Sequence, residues 1–413
     1  MTDTQLRSRK RLVVVGNGMA GMRTVDELLK HAPGRYDITV FGTEPHGNYN
    51  RIQLSPVLAG EKTLADIVTH TPAWYAENGI ELIAGDTVID INRALRTVTT
   101  RSGRVTHYDK LLLATGSTPF IPRMPGSTLP GVVGFRTIED VELMLKAAQH
   151  YSRAIVIGGG LLGLEAACAL RKQGMKVTVV HRMQWLMERQ LDETAAGLLQ
   201  KTLERRGIRF VLAADTREIS GDWRVREVIL QDGQRLPTDL VVVAAGVVPQ
   251  ANLAKSSGLR CERGVVVDDA MRSSDPSIYA VGECAQHRGT CYGIVAPLWE
   301  QAQVCAAHLA GNDRTAAYTG SVLSTKLKVT GVHVFSAGDF TGEQGTHPLM
   351  LRDPRRGIYK KLVLRDDLLV GAVLYGEVQD GGWYFDLMQS RQSIAALRSK
   401  LIFGRSFAEA RAA

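Results

Sequence analysis

"SRAIVIGGGLLGLEAACAL", residues 152–170, decides the fold. The run "AIVIG" is short, apolar and bounded by glycine, the pattern of a strand buried on both faces. Gly158, Gly160 and Gly163 follow as G-x-G-x-x-G; "LEAACALRKQG" then reads as a helix stopping at Gly174, before a further strand "MKVTVV". Each glycine has its own task at such a turn. The first turns the chain, the second lets the backbone approach a pyrophosphate, and the third lets helix and strand pack closely. The helix N-terminus beyond them offers unpaired N–H groups and a positive dipole end to phosphate.

The device occurs twice. "RLVVVGNGMAGMRTVDELL", residues 11–29, carries Gly16, Gly18 and Gly21 after a strand, then Met22, Val25, Leu28 and Leu29 at helical spacing, with the strand "YDITVFG" behind. The fold class is therefore α/β, with two Rossmann-like nucleotide-binding domains. A duplicated fold that had lost one ligand would have no need of the full triplet in both copies.

The bulk properties narrow the function classes. At 413 residues the chain is long enough for two or three domains, and 45% hydrophobic with 22% charged residues is ordinary for a globular protein. The longest apolar runs, such as "KLLLATG" and "LVVVAAG", fall far below the roughly 18 residues of a membrane span. The basic start "RSRKR" leads straight into a strand with no signal-peptide core, so the expected location is cytoplasmic. The net charge of +8 is scattered, with no basic block interleaved with aromatics, which argues against nucleic acid as a partner. The densest basic stretch, "RDPRRGIYKKLVLR" at 352–365, reads as a solvated hairpin face, with docking of an acidic partner the alternative. Five cysteines, Cys168, Cys261, Cys284, Cys291 and Cys305, are odd in number and irregularly spaced, which fits a reducing compartment better than a disulfide framework.

Two further stretches separate the roles of the fingerprints. "HYDKLLLATGSTPFIP" places Ala114, Thr115 and Gly116 at a strand end, and "SIYAVGECA" places Gly282 and Glu283 after another. An A-T-G and a G-[DE] on either side of an internal nucleotide domain resemble the two-dinucleotide (glutathione-reductase-like) flavoprotein superfamily over nearly the whole chain. The resemblance implies FAD on the first fingerprint, at Gly16, Gly18, Met19, Ala20 and Gly21. It implies NADH or NADPH on the second, at Gly158, Gly160, Leu161 and Gly163, with Glu165 near the nicotinamide carboxamide. It places Gly282 and Glu283 at the flavin ribityl chain, where many members carry aspartate. "VVVAAGVVPQANL", with Gly246, resembles the crossing back to the flavin domain. The implied division is residues 1–119 and 247–318 for FAD, 120–246 for NAD(P)H, and a C-terminal α+β domain at 319–413. In the last, "YKKLVLR" and "LLVGAVLYGE" read as paired strands about a polar "DD" turn. Such domains form partner or dimer surfaces in the superfamily, so a homodimer is one arrangement the resemblance allows.

Many superfamily members pass electrons to a cysteine just after the second strand. Here that region, "FGTEPHGNYNRIQLSPVLAGE", has no cysteine, which excludes disulfide and cysteine-peroxide chemistry there. The stretches "YNRIQLSPVLAGE", "HRMQWLMERQLD", "GECAQHRGTCYGIVAPLWEQAQVC" and "STKLKVTGVHVFSAGD" resemble the flavin-binding front portion of the large subunit of assimilatory NAD(P)H nitrite reductase. In that family this portion feeds iron–sulfur and sirohaem segments, and none follows "SKLIFGRSFAEARAA" here. The expectation is a stand-alone electron-input module serving a separate nitrite or nitrate reductase, or an iron–sulfur protein. A ferredoxin or rubredoxin reductase is less favoured, because relatives of that type show L-S-K where this chain has Leu54, Ser55 and Pro56. A flavin-containing redox sensor is the rival from another class.

The remaining site residues rest on position. Gly42 stands where an acid usually binds the FAD ribose, which leaves Glu44 as the candidate, and Arg51 is assigned to the FAD pyrophosphate or to an ion pair. "APLWEQAQVCAAHLAG" reads as a helix from near Pro297, which the resemblance aims at the flavin, with Trp299 either a flavin contact or a core aromatic. The ribose position of the second fingerprint holds His181, 181 − 163 = 18 residues past the last glycine, then Arg182. Without an acid, and with a guanidinium, this reads as a site for the 2′-phosphate of NADPH. The nitrite reductase resemblance, in which histidine is usual here and NADH often the donor, leaves the choice open. Cys284, His287 and Cys291 have the chemistry of metal ligands but number only three, without a C-x-x-C, and no metal is assigned.

Overall fold

The computed structural model describes residues 9–313, 315–327, 329 and 331–409. They divide into two compact units. The first takes in residues up to 53, 63–118 and 247–321; the second takes in 54–62, 119–246 and 322 onward.

In the first unit the fingerprint strand Lys10–Val15 lies at the centre of a five-stranded parallel sheet. Lys110–Leu113 and then Ile278–Ala280 lie on one side of it, Tyr36–Gly42 and then Ile80–Ala84 on the other. Strands buried on both faces need continuous apolar runs, and Leu12, Val13, Val14, Leu111, Leu112 and Leu113 are all at most 1% exposed. The helix Met19–His31 packs against the helix Val295–Ala310. The latter starts two residues before the expected Pro297, which therefore sits in the first turn, where its missing N–H costs no bond.

The second unit repeats the plan with Arg153–Ile157 in the centre. Leu240–Val243 and Val132–Val133 lie on one side, Lys176–Val180 and Ile208–Val211 on the other. It also carries the C-terminal sheet, five antiparallel strands in the order Ser324–Lys326, Val334–Gly338, Leu368–Tyr375, Ile358–Arg365 and His347–Asp353. The helix Gly381–Ser390 packs on this sheet through Tyr384, Leu387 and Met388. The "DD" turn forms as expected, with Asp366 in the left-handed region at φ 54°.

The basic stretch 352–365 is not a uniformly solvated face. Lys360 is buried and pairs with Glu377 at 3.2 Å, and Lys361 reaches Asp192 at 3.6 Å. A strand alternates its side chains between two faces, so two consecutive lysines cannot both point to water when both faces are covered, and each finds a carboxylate instead.

Candidate nucleotide-binding sites

The two glycine turns are built alike, down to single atoms. Gly16 at φ +114° and Gly158 at φ +122° occupy backbone that L side chains avoid. A Cβ on Gly16 would meet the Ala114 carbonyl oxygen at 2.2 Å, and one on Gly158 would meet the Ala244 carbonyl oxygen at 2.3 Å. Each alanine closes the same bond to the fingerprint strand, Ala114 N–H to the Val15 carbonyl and Ala244 N–H to the Ile157 carbonyl, both at 2.8 Å. A Cβ on Gly21 would lie 2.7 Å from the Gly16 carbonyl oxygen, and one on Gly163 would lie 2.0 Å from that of Gly158. Gly18 and Gly160 are different. Nothing lies within 4 Å of where their Cβ would stand. A glycine with open space before it, between two that are packed against backbone, leaves a cradle of bare main chain for a pyrophosphate.

Helix Ile138–His150 is closed by a capping box of Thr137 and Asp140, and helix Glu193–Arg205 by the Asp192 side chain. Helices Met19–His31 and Leu161–Lys172 start from Gly18 and Gly160 with no side-chain cap and no acid in the first turn. Their first N–H groups are thus left without a side-chain acceptor, which suits an anion. The residues therefore fit a dinucleotide at each turn. Met19 and Leu161 are the first residues of these helices, and Ala20 is buried beneath the first turn.

Around the first cradle, Tyr75 donates its hydroxyl to Asn17 Oδ1 at 2.6 Å, and Asn48 donates its amide to the Asn17 carbonyl at 2.9 Å. Asn17 also crowds Gly42, since a Cβ there would meet Asn17 Cβ at 3.0 Å. Glu44 is half-buried and accepts from the Tyr49 hydroxyl at 2.7 Å and from the Arg51 guanidinium. Arg51 also lies 4.9 Å from the Tyr49 ring centroid. Burial works against its charge, but Tyr49, Glu44 and Glu283 outweigh it and hold Arg51 above its ordinary pKa. Thr115 donates to the Gln250 carbonyl at 2.6 Å, and Ser117 to Glu283 at 2.9 Å. Gly116 and Gly282 take φ of +70° and +87°. Gln301, which no sequence motif singled out, is fully buried and accepts the Gly282 N–H at 2.9 Å, while its Nε2 has no hydrogen-bond partner among the described residues. Trp299 is half-buried, with the Arg23 guanidinium 5.6 Å from its ring centroid.

At the second cradle, Glu165 is buried and accepts the Ser55 hydroxyl at 2.5 Å. Ser55 lies in the short helix Leu54–Leu58, which is fastened to helix Leu161–Lys172 by Gln173 donating to the Leu58 carbonyl at 2.8 Å and by the Lys172–Glu61 pair at 3.0 Å. The serine of "LSP" thus meets the glutamate of the fingerprint helix across 110 residues, a pairing no local pattern reveals. His181 stands at the strand end as expected, but the site does not lack an acid. Gly159 donates its N–H to His181 Nδ1 at 3.0 Å, and His181 Nε2 lies 3.1 Å from Glu188 Oε2. Arg182 is 74% exposed and lies 3.9 Å from Asp215. Gly246, at φ +125°, has open space where a Cβ would stand.

None of the cysteines is poised as a thiolate. Burial pushes Cys168 up to about 12 and raises Cys261, Cys284, Cys291 and Cys305 as well. Cys284 points its thiol at the Val281 carbonyl, 3.3 Å away, and His287 pairs with Asp269 at 2.8 Å. No group of three or more His, Cys, Asp or Glu side chains is placed to hold a metal among the described residues, and no helix among them is long and apolar enough to cross a membrane.

A family model for pyridine nucleotide-disulphide oxidoreductases matches residues 10–308, a span that contains both cradles. The chain belongs to that family. FAD and NAD(P)H are the cofactors of this oxidoreductase family. A second model, the rubredoxin NAD+ reductase C-terminal domain, matches residues 324–392. The chain is 50% identical to a nitrite reductase [NAD(P)H] of Bacillus subtilis over 387 residues, covering 94% of this chain and 48% of that protein. It is 45% identical to the assimilatory nitrate reductase electron transfer subunit of the same organism over 394 residues, 95% of this chain and 51% of the other. It spans about half the length of these relatives. Among solved structures, putidaredoxin reductase in its covalent complex with putidaredoxin superposes with a TM-score of 0.84 at 26% identity, covering 93% of this chain and 94% of that one.

Proposed function

We propose that this oxidoreductase is an electron-input component, taking reducing equivalents from NAD(P)H through FAD to a separate nitrite or nitrate reductase or an iron–sulfur partner. The observation that carries this reading is the pair of bare-backbone cradles, each with its phosphate-facing glycine left open. When bound, flavin supplies the exchange between a two-electron donor and one-electron acceptors. Residues 1–119 and 247–318 serve FAD. Gly16, Gly18, Met19, Ala20 and Gly21 take its pyrophosphate with Arg51, Glu44 its ribose, and Ala114, Thr115, Gly116, Gly282, Glu283 and Trp299 line the rest. Residues 120–246 serve the nicotinamide dinucleotide through Gly158, Gly160, Leu161, Gly163, His181 and Gly246. Glu165, held by Ser55, orients the carboxamide. Residues 319–413 face the partner.

The names of the relatives support the nitrogen-oxide side of this reading. The rubredoxin-reductase C-terminal match and the likeness to putidaredoxin reductase support a second one, a small iron–sulfur or rubredoxin-type acceptor. Anaerobic titration of the purified flavoprotein with NADH, then NADPH, tests the common core of both. Bleaching of the flavin by about one equivalent, followed by rapid reoxidation by an added one-electron acceptor, is expected. No bleaching by either nucleotide would remove the proposal. A long-lived reduced form that acceptors do not discharge would favour a redox sensor.

A further inference from the structure

We infer that Glu188 makes the second nucleotide site select NADH over NADPH. The assignment rests on reading that half of the chain as the nicotinamide site. In dinucleotide folds a carboxylate at the end of the second strand binds the adenosine ribose hydroxyls, and a cation there accommodates a 2′-phosphate instead. Here the strand Lys176–Val180 ends at His181, whose backbone is fixed by its N–H to the Val211 carbonyl at 2.9 Å and its carbonyl to the Ala214 N–H at 3.0 Å. The Gly159 N–H donates to His181 Nδ1, so that nitrogen is an acceptor. The ring is then neutral and carries its hydrogen on Nε2, which donates to Glu188 Oε2. The histidine in the place of the acid brings in an acid from 188 − 181 = 7 residues further along.

The loop that carries Glu188 is pinned to the glycine turn itself. Met187 donates its N–H to the Gly159 carbonyl at 3.0 Å, and Gln190 and Leu191 both donate to the Met187 carbonyl at 2.8 Å. Leu186 and Met187 are fully buried, and Met187 accepts a φ of +53° to make the turn. Gly159 is closed in by the same loop, since a Cβ there would meet the His181 ring at 2.7 Å and Leu186 at 2.8 Å. Glu188 is thus held beside the middle of the fingerprint, 23% exposed, with a carboxylate that is reached from solvent.

The cations nearby are held far more loosely. Arg182 is 74% exposed and lies 3.9 Å from Asp215, and Arg189 is 87% exposed and reaches Glu188 itself only at 3.9 Å, so neither is fixed at the site as the carboxylate is. Ribose hydroxyls would donate to the fixed carboxylate. A 2′-phosphate would bring at least one further negative charge against it, and like charges so placed repel.

The test is calorimetric binding of NAD+ and NADP+ to the flavin-loaded protein, since the oxidised nucleotides leave the flavin unreduced. The wild type is expected to bind NAD+ at least about tenfold tighter, the factor that corresponds to about 1.4 kcal/mol. Glu188→Gln keeps the volume and an acceptor for His181, and is expected to bring the two affinities together, chiefly by tightening NADP+. Glu188→Asp keeps the charge and is expected to retain the preference, which separates charge from disturbed folding. Equal binding of the two nucleotides by the wild type, or an unchanged ratio in Glu188→Gln, would overturn the assignment. Failure of the wild type to bind either would remove the nicotinamide reading as well.

Discussion

Gly160 and Gly163 stand three residues apart and do opposite work. A methyl at Gly163 would be driven into the Gly158 carbonyl, whereas one at Gly160 would meet nothing in the protein and only what binds there. Gly163→Ala is therefore expected to destabilise the second unit by about 1–3 kcal/mol, as overpacking does, and to be seen in urea unfolding. Gly160→Ala should unfold with the wild type, because its backbone at φ −81° suits any residue, yet bind NADH about tenfold or more weaker, about 1.4 kcal/mol. Equal unfolding curves with equal binding would mean that the turn cradles nothing. Both glycines were legible in the sequence, since G-x-G-x-x-G between strand and helix has few other uses. Glu188 and Ser55 were not. Their stretches, "HRMQWLMERQLD" and "YNRIQLSPVLAGE", carried the family resemblance, but nothing local says that Glu188 turns back to His181 or that Ser55 finds Glu165.

Side-chain caps close Ile138–His150 and Glu193–Arg205, whereas the helices at the cradles, Met19–His31 and Leu161–Lys172, start uncapped, as do Val295–Ala310 and Gly381–Ser390. Thr137 and Asp140 cap Ile138–His150 reciprocally, so Thr137→Ala is expected to cost about 1 kcal/mol of stability while leaving affinity for both nucleotides unchanged. A loss of nucleotide binding in that variant would tie this helix to the site. The strand–turn–strand of "YKKLVLR" and "LLVGAVLYGE" was readable from alternation and its aspartate turn, and it forms in register from Tyr359 opposite Tyr375 to Arg365 opposite Leu368. The burial of Lys360 and Lys361 was not readable, because Glu377 and Asp192 reach them from other elements. A run of cations in sequence is a solvated face only if nothing covers it.

At the scale of the molecule, charge and burial set the pH range of stability. Arg288 and His287 hold Asp269 down at about 2, from 3.8, so its contribution is complete above pH 3.8 and is lost as pH falls towards 2. Burial pushes Tyr75, Tyr108 and Tyr279 up to about 12, from 10.0. Their protonated form is favoured in the folded state, so that contribution is complete below pH 10 and is lost as pH rises towards 12. Unfolding midpoints in urea are expected to hold between these limits and to fall outside them. Tyrosine ionisation, followed by near-ultraviolet absorbance, should coincide with the alkaline fall. Titration of these tyrosines near 10 in the folded protein would contradict the burial argument.

The sequence by itself determined the α/β class, the doubling of the nucleotide fold and the place of each glycine. Those features are written in short-range spacing: apolar runs that must be buried, and glycines that must turn or be approached. It also determined that no cysteine stands after the second strand to receive electrons. Only the tertiary structure decided which side chains meet at the cradles. Ser55 with Glu165, His181 with Glu188 and Gln301 with Gly282 are contacts made by loops and elements folding back on one another. A hydrogen bond depends on where two atoms end up, and for these pairs that is fixed by packing between elements rather than by the residues on either side.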